Sequence, residues 1–179
     1  MNLLSVQSFQ EILHSGMCGP ASLKMVLDYW GISKTEKELA ELLNTQTNLG
    51  ISDSDLKRVA ETLDLRVEII SLASFEDISN WLDKKVPVIV NWFTRGRSDY
   101  SDSEVPDGHY SVVVGLDGEY IYLQDPEIGT LRKIAREDFL KVWFDFRGEQ
   151  ITSWEDMIVR QLIAIYPNPH ASIDPWDES

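Results

Sequence analysis

Three residues could do chemistry together: Cys18, His109 and Asp125. Cys18 is the only cysteine, and it stands directly before Gly19-Pro20, after which Ala21 to Trp30 runs without a breaker until Gly31. Proline suits the first helical position, where its missing N–H is not needed, so Cys18 is expected at a helix N-terminus. Unsatisfied backbone N–H groups and the helix dipole at such an end favour a thiolate, the form of cysteine that attacks a carbonyl carbon. A free cysteine is also among the most buried residue types and often only a small hydrophobe, so the thiol by itself decides nothing. His109 in Gly108-His109-Tyr110 and Asp125 in Gln124-Asp125-Pro126 offer a base and a carboxylate to orient it. Between them Asp117-Gly118 is a strong two-residue hairpin signal, which makes the flanking strands antiparallel neighbours. With that turn His109 falls opposite Gln124 to Pro126, beside Asp125.

The elements that must hold these residues alternate between helical and extended patterns. Ser33 or Thr35 starts a second helix, with Glu36 and Glu38 in capping-box positions and Leu39, Ala40, Leu42 and Leu43 on its apolar side. Ser52 to Asp55 caps a third, with Leu56, Val59, Ala60 and Leu63 inward. Arg66 to Ile70 alternates as a short strand, and Ser74 with Asp77 caps a helix carrying Ile78, Trp81 and Leu82. Val86 to Phe93 reads as a buried strand, since Pro87 is tolerated only at its first residues or on an edge. Thr94 to Asp107 lacks an apolar period and leads into His109; it reads equally as a flap beside the site or as an ordinary surface loop. Leu131 to Ile134 suggests another strand, Glu137 to Trp143 a short helix, and Ile158 to Tyr166 a last strand at a sheet edge. The prolines and acidic residues from Pro167 onward suit a disordered tail, which leaves residues 1–166 as one domain.

A chain of 179 residues is within the size of a single domain, and 43% hydrophobic with 26% charged residues is the balance of a soluble globular protein. The formal net charge of −14 and a pI near 4.5 would repel phosphate backbones and anionic lipids, so nucleic acid and membrane are not expected partners. One cysteine excludes an internal disulfide, and one Cys with three scattered His matches no zinc spacing, so no metal is expected. Residues 1 to 17 lack the basic start and apolar run of a secretory signal, and no 18-residue apolar stretch could span a bilayer. A cytoplasmic location is the expectation. Nothing in the sequence speaks to oligomeric state.

Three blocks together resemble a known family. Cys18-Gly19-Pro20-Ala21-Ser22 followed by a helix ending Tyr29-Trp30-Gly31, then Gly108-His109-Tyr110 opening a Val-rich strand, then Asp125-Pro126 closing the next strand are similar, in that order, to papain-like cysteine peptidases. The likeness is to those that process double-glycine bacteriocin leaders and to their stand-alone relatives, and it spans about residues 5 to 146. It implies an α+β papain-like fold, with an N-terminal helical half bearing the nucleophile helix packed on a C-terminal antiparallel sheet. It also implies a peptide or protein substrate and hydrolysis without a cofactor. Residue by residue, Cys18 becomes the nucleophile, His109 the general base and Asp125 the residue that orients the imidazole.

The family places an oxyanion-hole glutamine commonly six residues before the cysteine, where this chain has Ile12. Gln10 and Gln7 are the candidates, and a longer loop from Glu11 to Met17 could bring Gln10 round to the thiol. The same triad also serves acyl transfer and the hydrolysis of small amides, and a cleft without turnover would serve as a peptide-binding module.

Overall fold

A computed structural model of the chain describes residues 3–12, 16–45, 51–94, 108–146 and 152–168. Its organising element is a six-stranded sheet, antiparallel throughout, in the order β1-β8-β2-β3-β4-β5. These strands are β1 (Leu65–Ile70), β2 (Val88–Phe93), β3 (Gly108–Leu116), β4 (Tyr120–Asp125), β5 (Thr130–Ala135) and β8 (Leu162–Pro167). A small two-stranded sheet pairs β6 (Phe144–Phe146) with β7 (Met157–Val159). Both faces of the large sheet are covered, which explains why β2 and β3 are apolar on successive residues instead of alternating.

On one face lie α1 (Cys18–Tyr29), α2 (Glu36–Leu42) and α3 (Asp53–Thr62). Their Leu23, Leu27, Leu39, Leu56 and Val59 pack with Ile89, Tyr110, Val112, Val114 and Ile163 of the sheet. On the other face α4 (Phe75–Asp83) and α5 (Arg136–Val142) bring Ile78, Trp81 and Phe139 onto Val90, Trp92, Val113, Leu123 and Ile134, with Trp143 closing the cluster. The result is the expected α+β arrangement. The sheet is not confined to the C-terminal half, however: β1 comes from the N-terminal half, β2 lies across the middle of the chain, and both pair with β8.

The helix starts follow local chemistry. Thr35 and Ser74 close capping boxes with Glu38 and Asp77, and Ser52 accepts from the Asp55 N–H. Helix α1 begins at Cys18, so Pro20 is its third residue and not its first. The first turn tolerates this because none of its N–H groups is needed inside the helix.

Two expectations about strands are corrected. The β3–β4 hairpin does not turn at 117–118: Leu116 pairs with Ile121 and the Asp117 N–H donates to the Tyr120 carbonyl at 3.0 Å, which moves the turn to Gly118-Glu119. Val112 pairs with Gln124, where a 117–118 turn would have set it opposite Leu123, and Val114 is skipped between Val113 and Gly115 as a bulge. Residues 117–119 make the connection, with Asp117 Oδ1 accepting from the Glu119 and Tyr120 N–H groups. An aspartate that caps the amides following it favours the position before the turn over a place within it. The expected last strand over Ile158 to Tyr166 is two strands in two sheets, broken at Arg160, whose φ of 47° is left-handed. Its second part, β8, lies between β1 and β2 and not at an edge. β8 also runs on to Pro167, and Asn168 donates its N–H to the Asp64 carbonyl. Most of the expected Thr94–Asp107 loop and of the tail lies outside the described residues.

Candidate active site

His109 and Asp125 meet where β3 begins and β4 ends. Trp92 pairs directly with His109 across β2 and β3, and Leu123 pairs with Arg132 across β4 and β5. Two residues beyond Leu123, Asp125 returns to the same face by strand alternation. There its Oδ1 lies 2.7 Å from His109 Nε2, and both side chains are almost wholly buried. The Cys18 thiol is also within hydrogen-bonding reach of the imidazole. Cys18 itself is half-buried at the first residue of α1. Thiol, imidazole and carboxylate therefore form one hydrogen-bonded series across the two halves of the fold.

Burial of the imidazole opposes its protonation, but the Asp125 charge and the hydrogen bonds with Asp125 and Cys18 outweigh it and push the His109 pKa up to about 10. Burial would likewise raise the Asp125 carboxyl, yet His109 and Arg132 hold it below the usual carboxylate range. A cysteine–histidine pair in this setting carries an imidazolium near neutral pH.

The carboxylate is saturated. Arg132 Nε donates to Asp125 Oδ2 at 2.6 Å, and the Glu127 N–H donates to Oδ1 at 3.0 Å. The Arg132 guanidinium lies 5.9 Å from the centre of the Trp92 ring, whose edge meets His109 at 5.6 Å between ring centres. Trp92 Nε1 in turn donates to Ser111 Oγ. Arg132 and Trp92 are supports that the sequence reading did not single out. The available signal was a charged residue two positions from Ile134 on the inward side of a strand. His109, Asp125 and Glu127 each bring one donor atom within 4.8 Å of the others, a spacing that could hold a cation. The chemistry of the set does not suit one, because both Asp125 oxygens are engaged and a guanidinium already supplies the positive charge.

Gln10 engages the turn after β4. Its side chain is exposed, and Nε2 donates to the Glu127 carbonyl at 3.2 Å, on the turn that follows Asp125. Gln7 is exposed as well. Glu11, the next residue, is half-buried, and its carboxyl is pushed up to about 7 by burial, with the His109 charge opposing and the neighbouring carboxylates adding to the rise. Backbone donors are nevertheless at hand. Helix α1, unlike α2, α3 and α4, receives no side-chain cap, so the N–H groups of its first turn remain for another acceptor. A Cβ at Gly108 would displace the Asp145 carboxylate, which packs against the start of β3.

Residues 4–151 match the Peptidase_C39 like family. The Lactococcin-G-processing and transport ATP-binding protein LagD of Lactococcus lactis subsp. lactis is 28% identical over 126 residues; the alignment takes in 70% of this chain but 16% of LagD. Among solved structures, the peptidase domain of Streptococcus ComA, a bi-functional ABC transporter, is similar with a TM-score of 0.66 at 20% identity, covering 91% of this chain and 99% of that domain. A double glycine motif protease from an AMS/PCAT transporter, in complex with the leader peptide, has a TM-score of 0.64 at 19% identity and covers 93% of this chain and 95% of its own. At these identities the two structures establish a shared fold. Among the described residues no helix is long and apolar enough to cross a membrane.

Proposed function

The chain belongs to the Peptidase_C39 like family of cysteine peptidases, and on that premise we propose that it hydrolyses peptide bonds with Cys18, His109 and Asp125 as its triad. The observation that supports this most is the buried imidazole held between the Asp125 carboxylate and the Cys18 thiol. In this reading the Cys18 sulfur attacks the carbonyl carbon, and the carbonyl electron pair moves onto oxygen, facing the first-turn N–H groups of α1. His109 gives its proton to the leaving amine as the C–N bond breaks, then takes one from the water that releases the acyl group. Asp125 keeps the Nε2 proton directed toward itself and stabilises the imidazolium.

The substrate is a peptide. The double glycine motif protease, seen with its leader peptide, makes peptides carrying a Gly-Gly pair the first to assay. LagD is about six times longer than the matched region, so its transport activity lies outside this proposal. The test is alkylation by iodoacetamide at pH 6, followed by mass, beside cleavage of a Gly-Gly peptide. Rapid modification of Cys18 that is lost in His109→Ala is expected, together with loss of cleavage in both His109→Ala and Cys18→Ser. A folded protein that resists alkylation, or a histidine variant that alkylates as fast, would leave the thiol as a packing residue.

A further inference from the structure

Strand β5 is the last strand of the sheet, and Lys133 on it faces solvent, yet Arg132 turns inward and is only 9% exposed. Its Nε donates to Asp125 Oδ2 at 2.6 Å, while Oδ1 lies 2.7 Å from His109 Nε2 and also accepts from the Glu127 N–H. The carboxylate thus stands between two cationic groups, and the Trp92 ring lies against both: its centre is 5.9 Å from the guanidinium and 5.6 Å from the centre of the imidazole. A buried ion pair is often no more stabilising than well-packed apolar side chains, so a guanidinium buried here calls for another use. We propose that Arg132 is a positioning residue of the triad, which acts through Asp125 to keep the Cys18–His109 pair in its thiolate–imidazolium form in mildly acid solution; this rests on Cys18, His109 and Asp125 being the triad.

Two effects of the guanidinium lead there. A carboxylate turns easily about its last torsion, and a donor fixed on Oδ2 stops that turn and leaves Oδ1 to the imidazole. Charge is the second effect. A thiolate at Cys18 on α1 joins Asp125 at the end of β4 and Glu127 on the turn after it, both grouped with His109, and Glu11 of the N-terminal segment, whose carboxyl the His109 charge influences. The imidazolium would face these acidic groups alone if Arg132 did not place a second positive charge on Asp125, where His109 and Arg132 together hold the carboxyl below its usual range. Without that charge the negative groups are left unbalanced, which disfavours the thiolate and raises the pH at which the pair forms. Screening by water is weak at this depth, so the effect reaches past the carboxylate to the thiol.

Glutamine separates the charge from the hydrogen bond, because its Nε2 donor sits as far along the side chain as the arginine Nε but carries no charge. The pH dependence of Cys18 alkylation by iodoacetamide, in which the thiolate sulfur displaces iodide, reads the ionised thiol directly on the full chain from pH 4.5 to 9. In Arg132→Gln the midpoint of that profile should move up by about 1 unit, the low end of what one nearby charge does, with the plateau rate at high pH unchanged. Arg132→Lys keeps the charge and should stay at the parental midpoint. A purely structural arginine would lower the urea midpoint of both variants and move neither pH profile. Arg132→Met, in which apolar packing replaces the buried ion, carries the same prediction as Arg132→Gln should the amide not be tolerated. Coincident pH midpoints for the parent and the charge-free variant, a lysine variant that shifts as far, or failure of both charge-free variants to fold would overturn the role of Arg132 while leaving the nucleophile in place. No alkylation of the folded parent at any pH would instead remove Cys18 from the triad, and this proposal with it.

Discussion

At the scale of single residues, Asp125 is shared between two cations, and this determines what its substitution will do. Asp125→Asn would weaken the imidazolium and favour the wrong tautomer, which in a serine triad costs about 10⁴-fold in turnover. It would also leave the buried Arg132 facing an amide, and breaking a buried pair by removing one charge typically costs about 3–5 kcal/mol. The single variant should therefore lose both activity and stability. Asp125→Asn combined with Arg132→Met should regain much of the stability, read by urea denaturation, without regaining turnover. If the double variant is no more stable than the single one, the Arg132–Asp125 contact is not what holds this corner of the sheet.

At the scale of elements, the site depends on the helix that backs it. Phe139 of α5 is fully buried and contacts the rings of Trp92 and Trp143, and Trp92 meets His109. Phe139→Ala should cost about 3–5 kcal/mol, as a large aromatic deletion in a core does, and should loosen the Trp92 edge against the imidazole. A urea midpoint within error of the parent would show that α5 can collapse into the space. Helix and strand identities were legible here from periodicity and caps, as at Thr35, Ser52 and Ser74. The hairpin register was not. The bulge at Val114 and the turn's shift by one residue depend on what Asp117 bonds to and on how Val112 and Val114 pack under α1, which are cross-strand matters that local sequence does not encode.

At the scale of the whole molecule, a net charge of −14 would act on the proposed peptide substrate. Fields of this size steer charged ligands at low ionic strength and are screened at about 1 M salt, where the Debye length is about 3 Å. A Gly-Gly peptide flanked by lysines should show a higher kcat/KM than its glutamate counterpart in dilute buffer, and the two should converge at high salt. A preference that survives high salt would instead point to specific contacts in the cleft. The family and the α+β class were legible along the chain, which also put forward Cys18, His109 and Asp125 as the proposed triad, because residue types beside turn and helix-start signals are local and survive in one dimension. Only the tertiary structure decided which side chains complete the site. Arg132 and Trp92 come from separate strands, β5 and β2, and the Gln10 amide is tied to the Glu127 carbonyl. Such a choice rests on contacts between segments more than a hundred residues apart, and no pattern along the chain carries it.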